Sequence, residues 1–238
     1  RTIAIENDNN TVYTAGLSNF IEEWKIDQSS GNVLLNTNSR VNSLSISPNG
    51  QILAGGTRDG KTIIWQIGSD LASNIVFNDP DNAVQSVQFS PDGKYLTCGT
   101  IDGVVLVFRA DNFEIAGFLQ GHEARITDID FSPDGELMAT SSYDGKVLLW
   151  NMNYLNNSPI ELTGNSGFVF TVAFSSDGYN LISGSADENR LISSPTSPSF
   201  MSSKICSLLS RNLTEEEWNI YIGNDILYEK TCENLPEF

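Results

Sequence analysis

One short turn, met four times at a fixed interval, constrains this chain more than any other feature of it. Ser47-Pro48-Asn49-Gly50 returns as Ser90-Pro91-Asp92-Gly93, Ser132-Pro133-Asp134-Gly135 and Ser175-Ser176-Asp177-Gly178, each about 42 residues after the last. A second landmark keeps the same step in Asp59-Gly60, Asp102-Gly103, Asp144-Gly145 and Asp187, and a third is aromatic: Trp65, Phe108 and Trp150. Laying Trp24 over Trp150 without gaps sets Ile5 on Phe131 and Asp8 on Asp134. Residues 1 to 26 therefore read as a further copy whose first strand is cut away.

Inside each copy the hydrophobic period is 2. Ile126-Thr127-Asp128-Ile129-Asp130-Phe131 alternates as a strand with one face in a core. Pro-Asp-Gly supplies turn chemistry, because Pro pre-sets φ at the first turn position and Gly accepts φ > 0. Leu137–Ser142 is expected as the second strand, Lys146–Trp150 as the third, and a variable fourth strand is clearest in Glu114–Leu119. Four short antiparallel strands per repeat describe a propeller blade. A β-sandwich also spaces its strands closely, but it does not need every fourth strand to restart one motif. The expected fold is all-β, a β-propeller over 1–195. Its blades are a truncated 1–31, then 32–74, 75–117, 118–160 and 161–195, followed by a helical tail over 196–238.

Composition excludes several functions. The chain has 30 acidic and 13 basic residues and a net charge of −17. Such a field opposes nucleic acid and anionic membrane, since both require a positive face. No apolar run approaches the roughly 18 residues of a spanning helix, and the first residues lack the regions of a signal peptide. Three cysteines, an odd number, point to a reducing compartment and hence to the cytoplasm. One His and three scattered Cys offer no metal set of recognised spacing. No glycine motif cradles a phosphate. Neither a cofactor, a metal nor an enzyme activity is expected.

These motifs resemble the WD-repeat family over about residues 1 to 195. Gly121-His122, Asp144 and Trp150 match the family's Gly-His, turn Asp and third-strand Trp. The resemblance implies a buried hydrogen-bonded chain, here His122, Ser142 (or Thr140), Asp144 and Trp150, in which two ring N–H groups find the partners that burial demands. A lone His beside Asp and Ser invites a hydrolase reading, but this structural chain accounts for the same residues. No copy has Asp after its Trp, and Thr37, Pro80 and Asn165 stand where other blades would carry the His. Those blades are expected to rely on apolar packing. Members usually have seven blades, so further blades upstream of Arg1 are expected, the alternative being a five-bladed closure that uses the tail.

After Ile192 the pattern breaks. Met201, Ile205, Leu208 and Leu209 fall on one helical face. Thr214-Glu215-Glu216-Glu217 has the form of a capping box, Trp218, Tyr221 and Ile222 would continue an apolar stripe, and Gly223-Asn224 would stop it. Cys206 and Cys232 could pair but are read as buried thiols, and Cys98 as a core residue. The tail, from Ile205-Cys206 to Thr231-Cys232, looks like the one that ends many bacterial WD-repeat proteins. In these an upstream caspase-like effector or STAND-type NTPase precedes a C-terminal propeller that senses a trigger. A plain helical cap over the last blade accounts for the tail equally well.

In this family the loops before the first strand and between the second and third share one face, where partners bind. Arg40, Ala83, Arg125 and Phe168 precede the first strands; Leu17, Arg58, Ile101, Tyr143 and Ala186 hold the turn position. Arg40, Arg58, Arg125, Tyr143 and Phe168 are therefore the expected binding rim, for a protein segment or an anionic peptide or ligand. Arg and Tyr are enriched in hot spots, and Arg forks onto carboxylate or phosphate. The competing account is loop arginines paired with neighbouring Asp and Glu. The expected function is an interaction or ligand-sensing module of a larger bacterial signalling or defence protein, partnered by upstream blades and an effector domain of the same protein. The alternatives are a structural scaffold propeller, and a hydrolase or lyase propeller with a channel site. That last needs converging carboxylates, where the aligned first strands offer mainly Ser, Asn, Gln and Thr.

Overall fold

The computed structural model describes residues 2–6, 10–27, 30–68, 74–186, 191–197, 206, 210–217, 230, 232, 235 and 236. They form five antiparallel sheets in chain order. The first blade holds β1 (Thr2–Ile5), β2 (Thr11–Ala15), β3 (Phe20–Lys25) and β4 (Asn32–Asn36); the second holds β5 (Val41–Ile46), β6 (Ile52–Thr57), β7 (Lys61–Gln66) and β8 (Asn74–Asn78). The third is β9 (Val84–Phe89), β10 (Tyr95–Thr100), β11 (Val104–Arg109) and β12 (Ile115–Gln120). The fourth is β13 (Ile126–Phe131), β14 (Leu137–Ser142), β15 (Val147–Asn151) and β16 (Ile160–Leu162). The fifth has β17 (Val169–Phe174), β18 (Asn180–Ser185) and β19 (Leu191–Pro195). Every strand pairs with its chain neighbour, as an up-and-down blade requires.

The repeated turn owes its spelling to a local hydrogen-bond set. Ser132 Oγ donates to Asp134 Oδ1 at 2.5 Å and accepts from Leu137 N at 2.9 Å, while Glu136 N donates to the same carboxylate oxygen. Ser47/Asn49, Ser90/Asp92 and Ser175/Asp177 repeat the geometry. The glycine that follows has φ of 71° to 74° in all four copies, the left-handed region that favours Gly.

The second, third and fourth blades bury their third-strand aromatics against the blade before them. Trp65 packs with Tyr13, Ala15 and Ile21; Phe108 with Ala54 and Ile64; Trp150 with Val105 and Val107. The fourth seam sets Val169, Val172 and Leu181 on Ala139, Val147 and Leu149. Polar side chains of the innermost strands then reach across to the next blade's backbone. Leu44 N donates to Thr2 Oγ1 at 3.0 Å, Val87 N to Ser43 Oγ at 3.1 Å and Val172 N to Asp128 Oδ2 at 3.2 Å. Thr2, Ser43 and Asp128 occupy one position of the repeat. Two residues on, Phe89 N donates to Ser45 Oγ and Phe174 N to Asp130 Oδ2. A bulge early in the inner strand, at Val41/Ser43 and Ile126/Asp128, turns out Asn42 and Thr127. Both side chains donate to a carbonyl of the following blade, Val84 O and Val169 O.

Several expectations need correction. The first strand of the first blade is not cut away: four residues suffice for β1 to pair fully with β2, from Thr2↔Ala15 to Ile5↔Val12. The sheets also divide the chain later than the repeats at 32, 75, 118 and 161 would, because the outer strand at each boundary pairs backwards. Asn32–Asn36, for instance, pairs with Phe20–Lys25. The break after Ile192 does not end the third strand, which runs to Pro195 against Asn180. The cysteines at 206 and 232 are not two thiols but a disulfide, with Cα atoms 5.5 Å apart. Buried Asn212 holds the Cys232 end of the bond, accepting from Cys232 N and donating to Cys232 O and Leu235 O. The odd cysteine count thus resolves into one bond and the buried thiol of Cys98. The capping box does form: Thr214 N donates to Glu217 Oε2, and Glu217 N to Thr214 Oγ1. The remaining tail helix positions, Met201 through Tyr228, and Asp187 lie outside the described residues apart from Cys206 and 210–217.

The seams set a stability prediction. A Cβ on Gly99 would lie 2.5 Å from Ile126 Cγ2 of the next blade, whereas on Gly184, at the same position of the fifth blade, its nearest neighbours stand at 3.4 Å. Gly99→Ala is expected to cost about 1–3 kcal/mol by overpacking, and Gly184→Ala to stay within about 0.5 kcal/mol. Urea unfolding of both variants checks this, and equal losses would refute the seam packing.

Candidate functional site

The polar chain around the single histidine runs through Thr140 and not Ser142. Trp150 Nε1 donates to Thr140 Oγ1 at 2.9 Å; Thr140 Oγ1 lies 2.8 Å from His122 Nε2, and His122 Nδ1 lies 2.9 Å from Asp144 Oδ2. Trp150 can only donate, so Thr140 Oγ1 accepts from it; a neutral imidazole with its proton on Nδ1 facing Asp144 then lets the Thr140 hydroxyl donate to His122 Nε2, and every polar atom of the chain is partnered. Ser142, assigned to this chain from the sequence, instead donates to Ala124 O and accepts from Asp144 N. It braces the turn from the other side.

Burial pushes the His122 pKa down, outweighing the upward pull of Asp144. Burial alone would raise Asp144, but the N–H groups of Glu123 and Lys146, with His122, hold it below the usual carboxylate range. Thr140's position is the recurring one. Trp24 Nε1 donates to Thr14 Oγ1 in the first blade, and Ser183 Oγ donates to Asn165 Oδ1 in the fifth. At the Asn165 position, apolar packing is thus joined by a remnant of the chain.

Four backbone bonds place the loop residues on one rim. Arg58 N donates to Arg40 O, Ile101 N to Ala83 O, Tyr143 N to Arg125 O and Ala186 N to Phe168 O, at 2.8 to 3.1 Å. The five proposed residues do not form one patch, however. Arg40 and Arg58 share the second blade, and Ala83 and Ile101 of the third separate them from the rest. Arg125, Tyr143 and Phe168 do come together. The Arg125 guanidinium carbon lies 4.1 Å from the Tyr143 ring centroid, its Nη2 donates to Tyr143 Oη at 2.8 Å, and Phe168 stacks on Tyr143 with centroids 4.7 Å apart. Phe170, missed in the sequence, meets Tyr143 edge-on at 5.7 Å. The bulge at Val169/Thr171 turns it out of the strand alternation. Phe168 and Phe170 are each about half exposed.

Among the described residues the three rim arginines are not paired with acids. Among the described residues the ion pairs are Lys61–Asp59, Lys94–Asp92, Lys146 with Glu123 and Glu161, Arg211–Glu217 and the His122–Asp144 contact. Arg40, Arg58 and Arg125 take part in none of them, and the Nε atoms of Arg40 and Arg125 are buried without a hydrogen-bond partner. The acids nearest a catalytic reading are Asp128 and Asp130. Both accept backbone N–H groups of the fifth blade and sit in the seam, and burial raises both pKa values above the usual range. No group of three or more His, Cys, Asp or Glu side chains among the described residues is arranged to hold a metal. No helix there is long and apolar enough to cross a membrane.

A family model described as "Echinoderm microtubule-associated protein second beta-propeller" matches residues 1–163, and one described as "WD domain, G-beta repeat" matches residues 157–189. No curated protein matches the chain. A chain in a crystal structure of the Mitotic Checkpoint Complex superposes with a TM-score of 0.72 at 20% identity, over 82% of this chain and 62% of that one. This chain therefore spans less than two thirds of that chain's length, and the likeness is one of fold.

The polar chain yields two predictions. Thr140→Val strands two buried ring nitrogens, and at about 1–3 kcal/mol for each it is expected to cost about 2–6 kcal/mol. Ser142→Ala is expected to cost about 1 kcal/mol. Denaturant unfolding of the two variants checks the order, and the reverse order would restore Ser142 to the chain. For His122 the folded pKa lies below the unfolded one, so the unfolded chain binds the proton first. Its contribution is full above the ordinary histidine value of about 6.5 and is lost as pH falls from there. The melting temperature is expected to drop on that descent in the parent, with this component absent in His122→Ala; parallel pH profiles would contradict it.

Proposed function

The chain belongs to the β-propeller family described as "Echinoderm microtubule-associated protein second beta-propeller", whose model matches residues 1–163, and carries a WD repeat at 157–189; from that premise we propose that it is an interaction module, binding a protein segment through its loop rim without chemistry of its own. One observation carries the reading: Arg125 lies on Tyr143 beside half-exposed Phe168 and Phe170, with no acid among the described residues paired to it in a chain of net charge −17. An unpaired guanidinium framed by aromatics is the composition of a binding hot spot. It suits a carboxylate next to an apolar side chain. Three groups that a hydrolase reading would enlist have structural employment: His122 in its buried chain, and Asp128 and Asp130 in a seam. A fold relative belongs to the Mitotic Checkpoint Complex, which is consistent with work in assemblies.

The finer proposal is a ligand-sensing propeller within a larger bacterial signalling protein carrying a STAND-type NTPase or caspase-like effector; the Cys206–Cys232 disulfide takes away the cysteine-count ground for placing it in a reducing compartment. What supports it is the tail sequence, whose Thr214–Glu217 capping box is formed. An effector domain encoded in the same gene is the observation that checks it.

The rim reading is tested on an array of peptides that place Asp or Glu beside Leu or Phe. Arg125→Ala is expected to weaken the best binders about tenfold, equivalent to about 1.4 kcal/mol, with Arg109→Ala as an unaffected control. Equal binding by Arg125→Ala and the parent would remove the rim as the site.

A further inference from the structure

The blades have a second loop face, opposite to the rim, because in an antiparallel sheet the turn joining first to second strand lies at the other end from the turn joining second to third. On that face an open groove of about 510 Å³ runs between the fourth and fifth blades. Its inner end is made by two of the repeated turns, which touch: a Cβ on Gly178 would lie 3.3 Å from Pro133 Cδ. Its outer end is the margin of the fourth sheet, with Leu149 on β15, Ile160 on β16, and Asn157 and Ser158 in the charge-free loop 152–159. Ile160 is 63% exposed and Tyr179 47% exposed, so apolar surface here stands open to water. Thr196 fixes the wall after β19, its N donating to Tyr179 O at 3.0 Å and its Oγ1 to Gly178 O at 2.6 Å. The trough is therefore formed before anything enters it.

Charge says what fits it. Asp134, Glu136 and Asp177 line the groove, and its described wall holds no Lys or Arg. In the third blade Lys94 follows the turn acid by two residues and pairs with Asp92 at 2.8 Å; that position is Glu136 in the fourth blade and Tyr179 in the fifth. Among the described residues none of the three groove carboxylates takes part in an ion pair. The Ser132 hydroxyl with Glu136 N, and the Ser175 hydroxyl with Tyr179 N, hold Asp134 and Asp177 below the usual carboxylate range. Nor do the acids converge on one point, since no three of the described His, Cys, Asp and Glu could hold a metal ion. We propose that this groove is a second docking site, for an extended basic segment of a partner protein in which an apolar side chain stands between Lys or Arg residues. Long basic side chains lay apolar stems along a surface while their heads reach charge, as a trough with Ile160, Tyr179 and spaced carboxylates requires. The net charge of −17 draws such a segment in, and no internal ion pair has to break to receive it.

The test is fluorescence anisotropy on the full chain with a fluorescein-labelled peptide carrying Lys-Leu-Arg, and a Glu-Leu-Glu peptide that is expected not to bind. The carboxylates are neutralised together as Asp134→Asn, Glu136→Gln and Asp177→Asn. The turn tolerates this, because Asn49 already closes it in the second blade, accepting from Ser47 Oγ and Gln51 N. The neutralised variant is expected to bind the basic peptide at least about tenfold more weakly than the parent, as the loss of three partly exposed ion pairs should. Ile160→Ala and Tyr179→Ala are expected to weaken it a few-fold. Failure of the parent to bind the peptide would overturn the proposal, and so would equal binding by the neutralised variant. A loss on neutralisation that neither Ile160→Ala nor Tyr179→Ala shares would also overturn it, in favour of diffuse attraction to an acidic chain. Arg125→Ala is expected to leave this affinity unchanged, and a loss there would move the peptide to the rim, so the groove and the rim reading fail separately.

Discussion

Blade-on-blade burial is the interaction on which everything else in this molecule depends. A four-stranded sheet that is apolar on both faces has no stable existence alone in water, since each face must be taken from solvent by a neighbour. Each fully buried Val, Leu or Ile contributes roughly 1.5–3 kcal/mol, and each seam places several of them. The packing is directional. A small residue, Gly56, Gly99 or Ser141, lets a β-branched side chain of the next inner strand come close, as Val84 does at Gly56 and Ile126 at Gly99. The hydroxyls and carboxylates of the inner strands then satisfy backbone groups that the ladder leaves open, which apolar packing alone could not do.

The turn motif and the strand period make these seams repeat, and they were legible because they are local. The serine and the acid two residues later bond each other and the same backbone, so their spacing is fixed within a few residues. The aromatic of each third strand was legible for the same reason. Thr140 was less so, because the family pattern drew attention to Ser142 beside the turn. Yet the distance from Trp150 to Thr140 is also that from Trp24 to Thr14, and both pairs bond. Phe170 and the seam roles of Asp128 and Asp130 were hidden by bulges, which break the alternation that places side chains on a face. The Cys206–Cys232 bond was hidden because it joins positions 26 residues apart in a tail without a repeat, and no local pattern marks the pair.

The rim is best understood against the charge of the whole. In a chain with 30 acids, arginines that stay clear of every carboxylate among the described residues owe this to their position. Arg40 and Arg125 start on backbone that is bonded to the opposite loop, and their Nε atoms are already buried. The guanidinium of Arg125 is thereby held on an aromatic plane, with little freedom left to lose when a partner arrives. Preorganisation of this kind lowers the entropic cost of binding. The surrounding negative field selects against partners whose charge extends beyond the one contacting group.

The fourth seam differs from the others in chemistry, and the difference bears on the rim it supports. Where earlier seams use Thr2, Ser43 and Ser45, this one uses Asp128 and Asp130. Burial favours their protonated forms, and the charge of Asp128 raises Asp130 further. The folded state therefore holds these protons to higher pH than the unfolded chain does, so the pair's contribution to stability declines as pH rises through the carboxylate range. At neutral pH the N–H groups of Val172 and Phe174, with the Thr171 hydroxyl, must offset that cost. The blade they belong to carries Phe168 and Phe170. Half of the aromatic cluster thus rests on the one seam in which desolvated charge opposes apolar packing, while Arg125 and Tyr143 stand on the blade with the full His122 chain.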